Sequence, residues 1–366
     1  MNLKDKLTWL PGNLEAGMYD EAAREGKGFA QWLEDNKAKT VETPYAGMSQ
    51  FEVEMTRRAL KAAGQPIPMT AFEEAIAACD IKAFGIRTDA VGKFFQNSVS
   101  TVLMPEFISN RIYAGLIKES LVPRLIADDQ IVNTSDFRKL YINDSDRELQ
   151  LSNVSKAAEF SETTITVGDR SLKLSKFGRY LNVAYEDIDM VPASFFNVAL
   201  DRIGMQIGVD ETDAAIDVAV NGDYGAGSSN AASTYNPTTS GSLVTTDVIT
   251  LATKLPTPYK ANILIGRKAQ LVSYYSVLAD FDNPTATWGF MGIMLPEVHE
   301  WDRSVLTSDY LLILDNRYAL GRVSTGAVMV ETESIIRKQI KGTAVSYRAG
   351  FHKIDDSAFY VLDDTT

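Results

Sequence analysis

Residues 192–222 read PASFFNVALDRIGMQIGVDETDAAIDVAVNG, and the expected architecture grows outward from them. Pro192 stands where a first-turn proline is tolerated, and Phe195, Val198, Leu200, Ile203, Ile207, Val209, Ile216 and Val220 follow largely at helical spacing. Asn221-Gly222 supplies the stop. A helix over 192–220 is a rod of roughly 43 Å at 1.5 Å per residue, longer than most small domains need. Upstream, 177–185 reads as a strand, and 137–142 (FRKLYI) and 163–167 (TTITV) alternate apolar and polar residues, with Asn143, Asp144 and Ser145 closing the first. Between those two strands lies a polar tip. A projecting arm joined to a rod-like helix suggests a building block before it suggests an enzyme.

At 366 residues the chain exceeds the size at which single cores usually split, so two or three lobes are expected. With 45% apolar and 23% charged residues it has an ordinary globular composition, which argues against disorder and collagen-like repeats. No window approaches 18 consecutive apolar residues, and Met1–Leu10 has no apolar core followed by a small-residue cleavage site, so a cytoplasmic setting is expected. The lone cysteine, Cys79, excludes an intrachain disulfide and reads as a small buried apolar residue. A net charge of −12 disfavours a broad nucleic-acid-gripping surface, yet suits a wall that surrounds nucleic acid without sticking to it.

The N-terminal part is helical and charged, with helices expected over 14–39, 49–63 and 70–83. Asn13 precedes the first, and Ser49/Glu52 and Thr70/Glu73 are capping boxes for the others. Pro44, Gly64, Pro66 and Pro68 mark the loops between. One good helical stretch follows at 105–120, then an extended segment after Leu121-Val122-Pro123. Residues 222–241 form a Gly/Ser/Thr/Asn-rich loop at a lobe boundary. From 245 to 323 the pattern alternates: helices over 247–255 and 268–279, strands over 261–265, 291–296 and 310–314, a compact α/β lobe. Strands over 327–331, 334–340, 343–351 and 359–362 end the chain. In the third, Val345, Tyr347, Ala349 and Phe351 share one face, while Ser346, Arg348 and His352 take the polar one.

Little in this chain reads as catalytic. His299 and His352 are its only histidines, no serine sits in a nucleophile elbow, and no His/Cys cluster has zinc spacing, so no catalytic residue, metal or cofactor is expected. Asp210, Glu211, Asp213 and Asp217 make an acidic stripe on the rod, read as a solvated or subunit-facing side in preference to a cation site. Gly204 and Gly208 say that another backbone approaches closely there. Gly222, Gly225 and Gly227 lack the lysine of a phosphate loop. Lys156, near the arm tip, is a candidate for an isopeptide cross-link to a neighbour, although no partner asparagine stands out.

The order of elements resembles the major capsid protein of tailed bacteriophages, the Hong Kong 97 fold, over roughly 99–364. Local echoes are Phe177-Gly178-Arg179-Tyr180-Leu181-Asn182-Val183 leading through Glu186-Asp187 to the rod, Gly292-Ile293-Met294-Leu295-Pro296, and Ser346-Tyr347-Arg348-Ala349-Gly350-Phe351 followed by Asp356-Ser357-Ala358-Phe359. The resemblance implies an α+β chain with an N-terminal helical segment or arm (1–98), at the place of a scaffold-like region that many relatives lose to a protease and that this chain is expected to retain, and its continuation (99–136). An extended loop would follow (137–176), then a peripheral domain (177–244) carrying a spine helix (192–220), an axial α/β domain (245–323) and returning peripheral strands (324–366). It further implies that Arg138, Arg147, Glu148, Lys156, Glu159, Phe160, Arg170 and Lys173 of the extended loop meet a neighbouring subunit.

Function follows as assembly: pentamers and hexamers of this chain closing an icosahedral shell around double-stranded DNA. Portal, scaffold and possible decoration proteins would be partners, with assembly in a bacterial cytoplasm and no membrane. The nearest rival is an encapsulin-like compartment, which shares the fold but is usually shorter and lacks the long helical N-terminal segment. A hydrolase or transferase built on 245–323 would need convergent polar side chains at the strand ends, where only scattered Asp and Arg occur. A ring-forming tail or connector component is the remaining rival.

Overall fold

The computed structural model describes residues 6–10, 12, 14–84, 88–132, 136–142, 165–224, 228–239, 241–279, 296–325 and 329–364. Its helices are α1 (Gly17–Arg24), α2 (Phe29–Ala38), α3 (Gln50–Ala62), α4 (Ala71–Ala78), α5 (Ser98–Glu119), α6 (Val122–Leu125), α7 (Tyr185–Met190), α8 (Ala193–Asn221), α9 (Thr245–Ala252) and α10 (Lys268–Ala279). The strands are β1 (Ile126–Ile131), β2 (Asp136–Ile142), β3 (Ile165–Lys173), β4 (Ser175–Ala184), β5 (Ser233–Tyr235), β6 (Ile263–Gly266), β7 (Glu297–Glu300), β8 (Tyr310–Leu314), β9 (Leu320–Ser324), β10 (Met329–Ile335), β11 (Ile340–Lys353) and β12 (Phe359–Asp363). The class is α+β. Two compact units result, and the boundary between them falls inside α8, after Glu211, and inside β11, after Tyr347.

The first unit takes residues 1–121, 176–211 and 327–347. Both expected capping boxes form: Ser49 Oγ accepts from the Glu52 N–H, Thr70 Oγ1 from the Glu73 N–H, and each glutamate reaches back to its cap. The single helix expected over 14–39 is instead α1 and α2, because Gly26 takes φ 69° and Gly28 is extended, so neither continues the helix. Tyr19, Phe29 and Trp32 stack across the break, with centroids 4.1 and 6.2 Å apart. The helix expected from Pro105 begins seven residues earlier, at Ser98, so the proline lies inside α5. Burial of Leu103 and Met104 before it and Phe107 and Ile108 after it offsets the missing backbone hydrogen bond.

The rod appears as α8, its bounds within one residue of those expected. It crosses α5 with backbone against backbone. A Cβ on Gly204 would lie 2.9 Å from Ile112 C and Leu116 N, one on Gly208 2.6 Å from Leu116 O, and one on Gly115 2.9 Å from Asp201 Cα. The small-residue spacing therefore carries the close approach read for it. Strand β4 pairs with β11, and β10 pairs antiparallel with 340–346 of β11. The strand expected over 334–340 is instead a reversal: 336–338 form a 3₁₀ turn and Gln339 takes φ 51°, which no strand residue adopts.

The second unit takes 122–175, 212–326 and 348–366. Its main sheet runs β5-β12-β8-β6-β7, with α9 and α10 on it and a core that includes Leu251, Leu264, Tyr274, Leu311, Ile313 and Leu362. Strand β8 and helix α10 have the bounds expected of them. The closing strand differs from expectation. Instead of finishing the peripheral sheet, β12 pairs with β8 and β5 in the lobe, because Phe359, Val361 and Leu362 are apolar enough to be buried centrally. The strand expected over 291–296 lies almost entirely outside the described residues; β7 follows it directly. Here too are β1, parallel to β9, and β9, antiparallel to 349–353 of β11. Gly222, at φ 89°, ends α8 as expected.

Candidate functional site

Strands β2 and β3 form a two-stranded sheet that pairs with no third strand among the described residues. Asp136 lies opposite Lys173, and Arg138 opposite Ser171. Between Arg138 and Leu140 the register shifts, and Arg170 falls within that irregularity on β3. Arg138 is exposed. Of the other residues assigned to this loop, Arg147, Glu148, Lys156, Glu159 and Phe160 lie outside the described residues, including the cross-link candidate Lys156. A two-stranded ribbon is marginal alone, so something must hold its base. Phe137 of β2 does so by packing 5.5 Å from the His352 ring. That contact corrects the placement of His352, which is buried and not on an open polar face, because the arm's base covers this end of β11.

The rod's first half offers a second surface. At about 100° per residue, Leu200, Ile203 and Ile207 share a face, while Val198 lies roughly 170° from its centre and Phe195 roughly 110°. The structure follows that geometry: Leu200, Ile203 and Ile207 are buried, whereas Phe195 and Val198 are 69% and 65% exposed. Met190, just before the rod in the same unit, is 80% exposed. Phe195 and Val198, apolar members of the helical series, thus lie off its buried face, as the helical angle dictates. In the second unit α10 repeats the arrangement, with Leu271, Tyr274 and Val277 buried while Val272 and Tyr275 are 62% and 51% exposed. Large apolar side chains in neighbouring exposed positions on a helix mark surfaces that other molecules cover.

The acidic stripe has local partners. Asp213 accepts from Trp301 Nε1 at 2.7 Å and Arg303 Nε at 2.6 Å, Asp217 from Asn221 Nδ2 at 2.7 Å, and Asp210 from Gln206 Nε2 at 2.7 Å. Glu211 is fully buried and accepts from the Tyr347 hydroxyl at 3.3 Å, so it is not part of a solvated side. Its burial follows from β11 lying on that flank of the helix. Among the described residues no group of three or more His, Cys, Asp or Glu could hold a metal ion, and no helix is long and apolar enough to cross a membrane. Burial lowers the pKa of His299, whose nearest ionised neighbour is Glu297 at 3.4 Å, itself ion-paired with Arg124. Cys79 is buried, as expected of a small apolar residue, and burial raises its thiol pKa, away from reactivity.

No protein-family model and no curated protein matches the sequence. Among solved structures, the chain is similar to the capsid of a native GTA particle, at 15% identity and TM-score 0.48, covering 66% of this chain and 88% of that one. It is similar to the holo-SrpI encapsulin complex of Synechococcus elongatus, at 14% identity and TM-score 0.49, covering 68% and 89%. A structure of Mycobacterium phage Bobi matches at 12% identity and TM-score 0.46, covering 67% and 90%.

Proposed function

We propose that this chain is the major capsid protein of a tailed bacteriophage, a subunit that performs no reaction and closes with copies of itself, as pentamers and hexamers, into an icosahedral shell around double-stranded DNA. The observation that carries the reading is the outer face of the rod. Phe195 and Val198 stand in water on a helix whose other face is packed backbone to backbone, with the exposed Met190 just before it, which is costly in a monomer and sensible under a neighbouring subunit. The β2–β3 ribbon, without a third strand among the described residues, adds backbone for a partner to pair with or be covered by. In this reading 137–176 is the extended loop, α8 the spine, and the α/β lobe surrounds the five-fold and six-fold positions. The acidic balance of the chain lets a wall enclose DNA without gripping it. Portal, scaffold and decoration proteins, and assembly in a bacterial cytoplasm, belong to the same reading.

Electron microscopy of the purified protein, expressed alone and with its neighbouring genes, tests it. Closed icosahedral particles are expected, and a monodisperse monomer or small ring overturns the reading. Shells that form in the cell around protein and never contain DNA would favour the encapsulin-like alternative. Deleting residues 143–161 is expected to leave the subunit folded and to abolish shells; normal shells from that variant would remove the loop from the mechanism.

A further inference from the structure

Helices α2, α3, α4 and α5 of the first unit line a half-open cavity of about 550 Å³, a volume suited to a small ligand. Five cationic side chains line it: Arg57, Arg58, Lys61, Arg111 and Lys118, with the Phe84 ring among them. We propose that this cavity binds a small phosphorylated anion. The proposal does not rest on the shell reading and concerns surfaces that reading does not use.

The argument turns on which charges are already committed. Glu73 holds Arg57 at 2.8 Å and accepts from the Thr70 N–H at 3.2 Å. Glu54 lies 3.6 Å from Arg58, whose two terminal nitrogens donate to the Ile117 and Ala114 carbonyls at 3.2 Å each. Glu34 accepts from the Thr43 hydroxyl and the Ala71 N–H, and Lys118 is held by Asp201 at 2.7 Å. Every acid on the wall is thereby engaged. Lys61 and Arg111 form no ion pair among the described residues.

Arg111 is the sharper case. Its guanidinium carbon sits 4.9 Å from the Phe84 centroid, and its Nε is buried with no hydrogen-bond partner. Burial pushes its pKa down, only partly offset by the charges of Asp201, Glu73 and Glu54, and an arginine in a protein stays protonated. Asp201 Oδ1 is also buried without a partner, but its sister oxygen already serves Lys118, and the pair leaves Arg111 unmet. A buried guanidinium N–H with no acceptor is costly to keep in a fold, and a bound anion would supply the acceptor. Arg111 and Lys61, the two cations on the wall outside any ion pair among the described residues, suit the multiply charged oxygens of a phosphoryl group, which offers several acceptors to a guanidinium and an ammonium at once. The volume exceeds that of inorganic phosphate, leaving room for a second phosphoryl group or a small organic body.

Calorimetric titration of the full-length protein with pyrophosphate and with ATP, at constant ionic strength, tests the proposal. One saturable site per subunit is expected. R111M keeps the apolar stem over Phe84 and is expected to weaken binding about tenfold or more, the loss of a charge-assisted contact. K61S changes an exposed residue, leaves folding intact, and is expected to weaken binding about threefold, the scale of a screened charge contact. Equal affinity for the two probes would identify the phosphoryl group alone as the ligand, and tighter binding of ATP would add an organic body; either supports the site. Absence of saturable binding by both probes at millimolar concentration overturns it. So does unchanged affinity in both variants, or glutamate competing as well as pyrophosphate.

Discussion

The two faces of α8 in the first unit are both built from non-polar positions, and they behave oppositely. On the inner face Gly204 and Gly208 let α5 approach until backbone meets backbone, and Leu200, Ile203 and Ile207 are buried around the contact. On the outer face Phe195 and Val198, larger and more hydrophobic, stand in solvent. Hydrophobicity alone therefore does not decide which side of a helix becomes core. The inner face wins because its glycines permit a closeness that Phe195 and Val198 would forbid, and close packing gains dispersion along the whole crossing. A change on the inner face should damage the subunit, and a change on the outer face should damage only what subunits do together.

The largest expected effect tests the inner face. Gly204→Ala puts a methyl against the α5 backbone, where no side-chain rotation relieves it, and should cost about 3 kcal/mol, the upper range of overpacking. Denaturant melts measure this, and a loss below about 1 kcal/mol would show that α5 and α8 can slide apart cheaply.

A second inner group should act through pH. Glu106 on α5 is buried, accepts from the Ala30 N–H and Gln50 Nε2 at 3.2 Å each, and so ties α2 and α3 to α5. Burial pushes its pKa up from 4.5 to about 7, against the lowering effect of those hydrogen bonds. The folded pKa lies above the unfolded one, so folding takes up a proton between these values. The contribution of this group is most favourable below pH 4.5 and falls as pH rises to about 7. The fall is about 3 kcal/mol. Glu106→Gln keeps an acceptor and should flatten this slope in melts at pH 5 and pH 8; an unchanged slope would assign the pH dependence elsewhere.

Smaller still is the loss of a cap. Thr70→Ala removes half of the α4 capping box and should cost about 1 kcal/mol, read as a lowered denaturant midpoint. The smallest effect on the subunit belongs to the outer face. Phe195→Ser together with Val198→Ser should change its stability by no more than about 0.5 kcal/mol, since neither side chain is in the core. Particle formation, followed by sedimentation and microscopy, should be lost nevertheless. A double variant that unfolds would make the outer face structural, and one that still forms shells would take it out of the interface.

Local signals carried much of this fold. Ser49/Glu52 and Thr70/Glu73 cap the helices they were read to cap, because a capping box is completed within four residues of chain. The rod, α10 and β8 were legible because long periodicity or an unbroken apolar run survives any packing context. The α1–α2 break was harder, since Gly26 and Gly28 interrupt a pattern that is otherwise helical across both sides. The reversal at 336–339 has no Gly, Asn or Pro to announce it, and a left-handed Gln339 is held by the strands it joins and by the Tyr185 N–H, which donates to its carbonyl at 3.0 Å.

From its sequence alone this chain determined a long proline-led helix, capped N-terminal helices, an α/β lobe and the absence of a recognisable catalytic motif, all of which depend on residues close together in the chain. Only the tertiary structure decided that α5 and α8 touch through glycines, that β12 belongs to the lobe, that His352 and Glu211 are buried, and that Phe195 and Val198 are not. Each of these is a choice between surfaces equally apolar or polar in sequence. Such choices are settled by which partner element lies close enough to exclude water, and that is a property of the assembled fold.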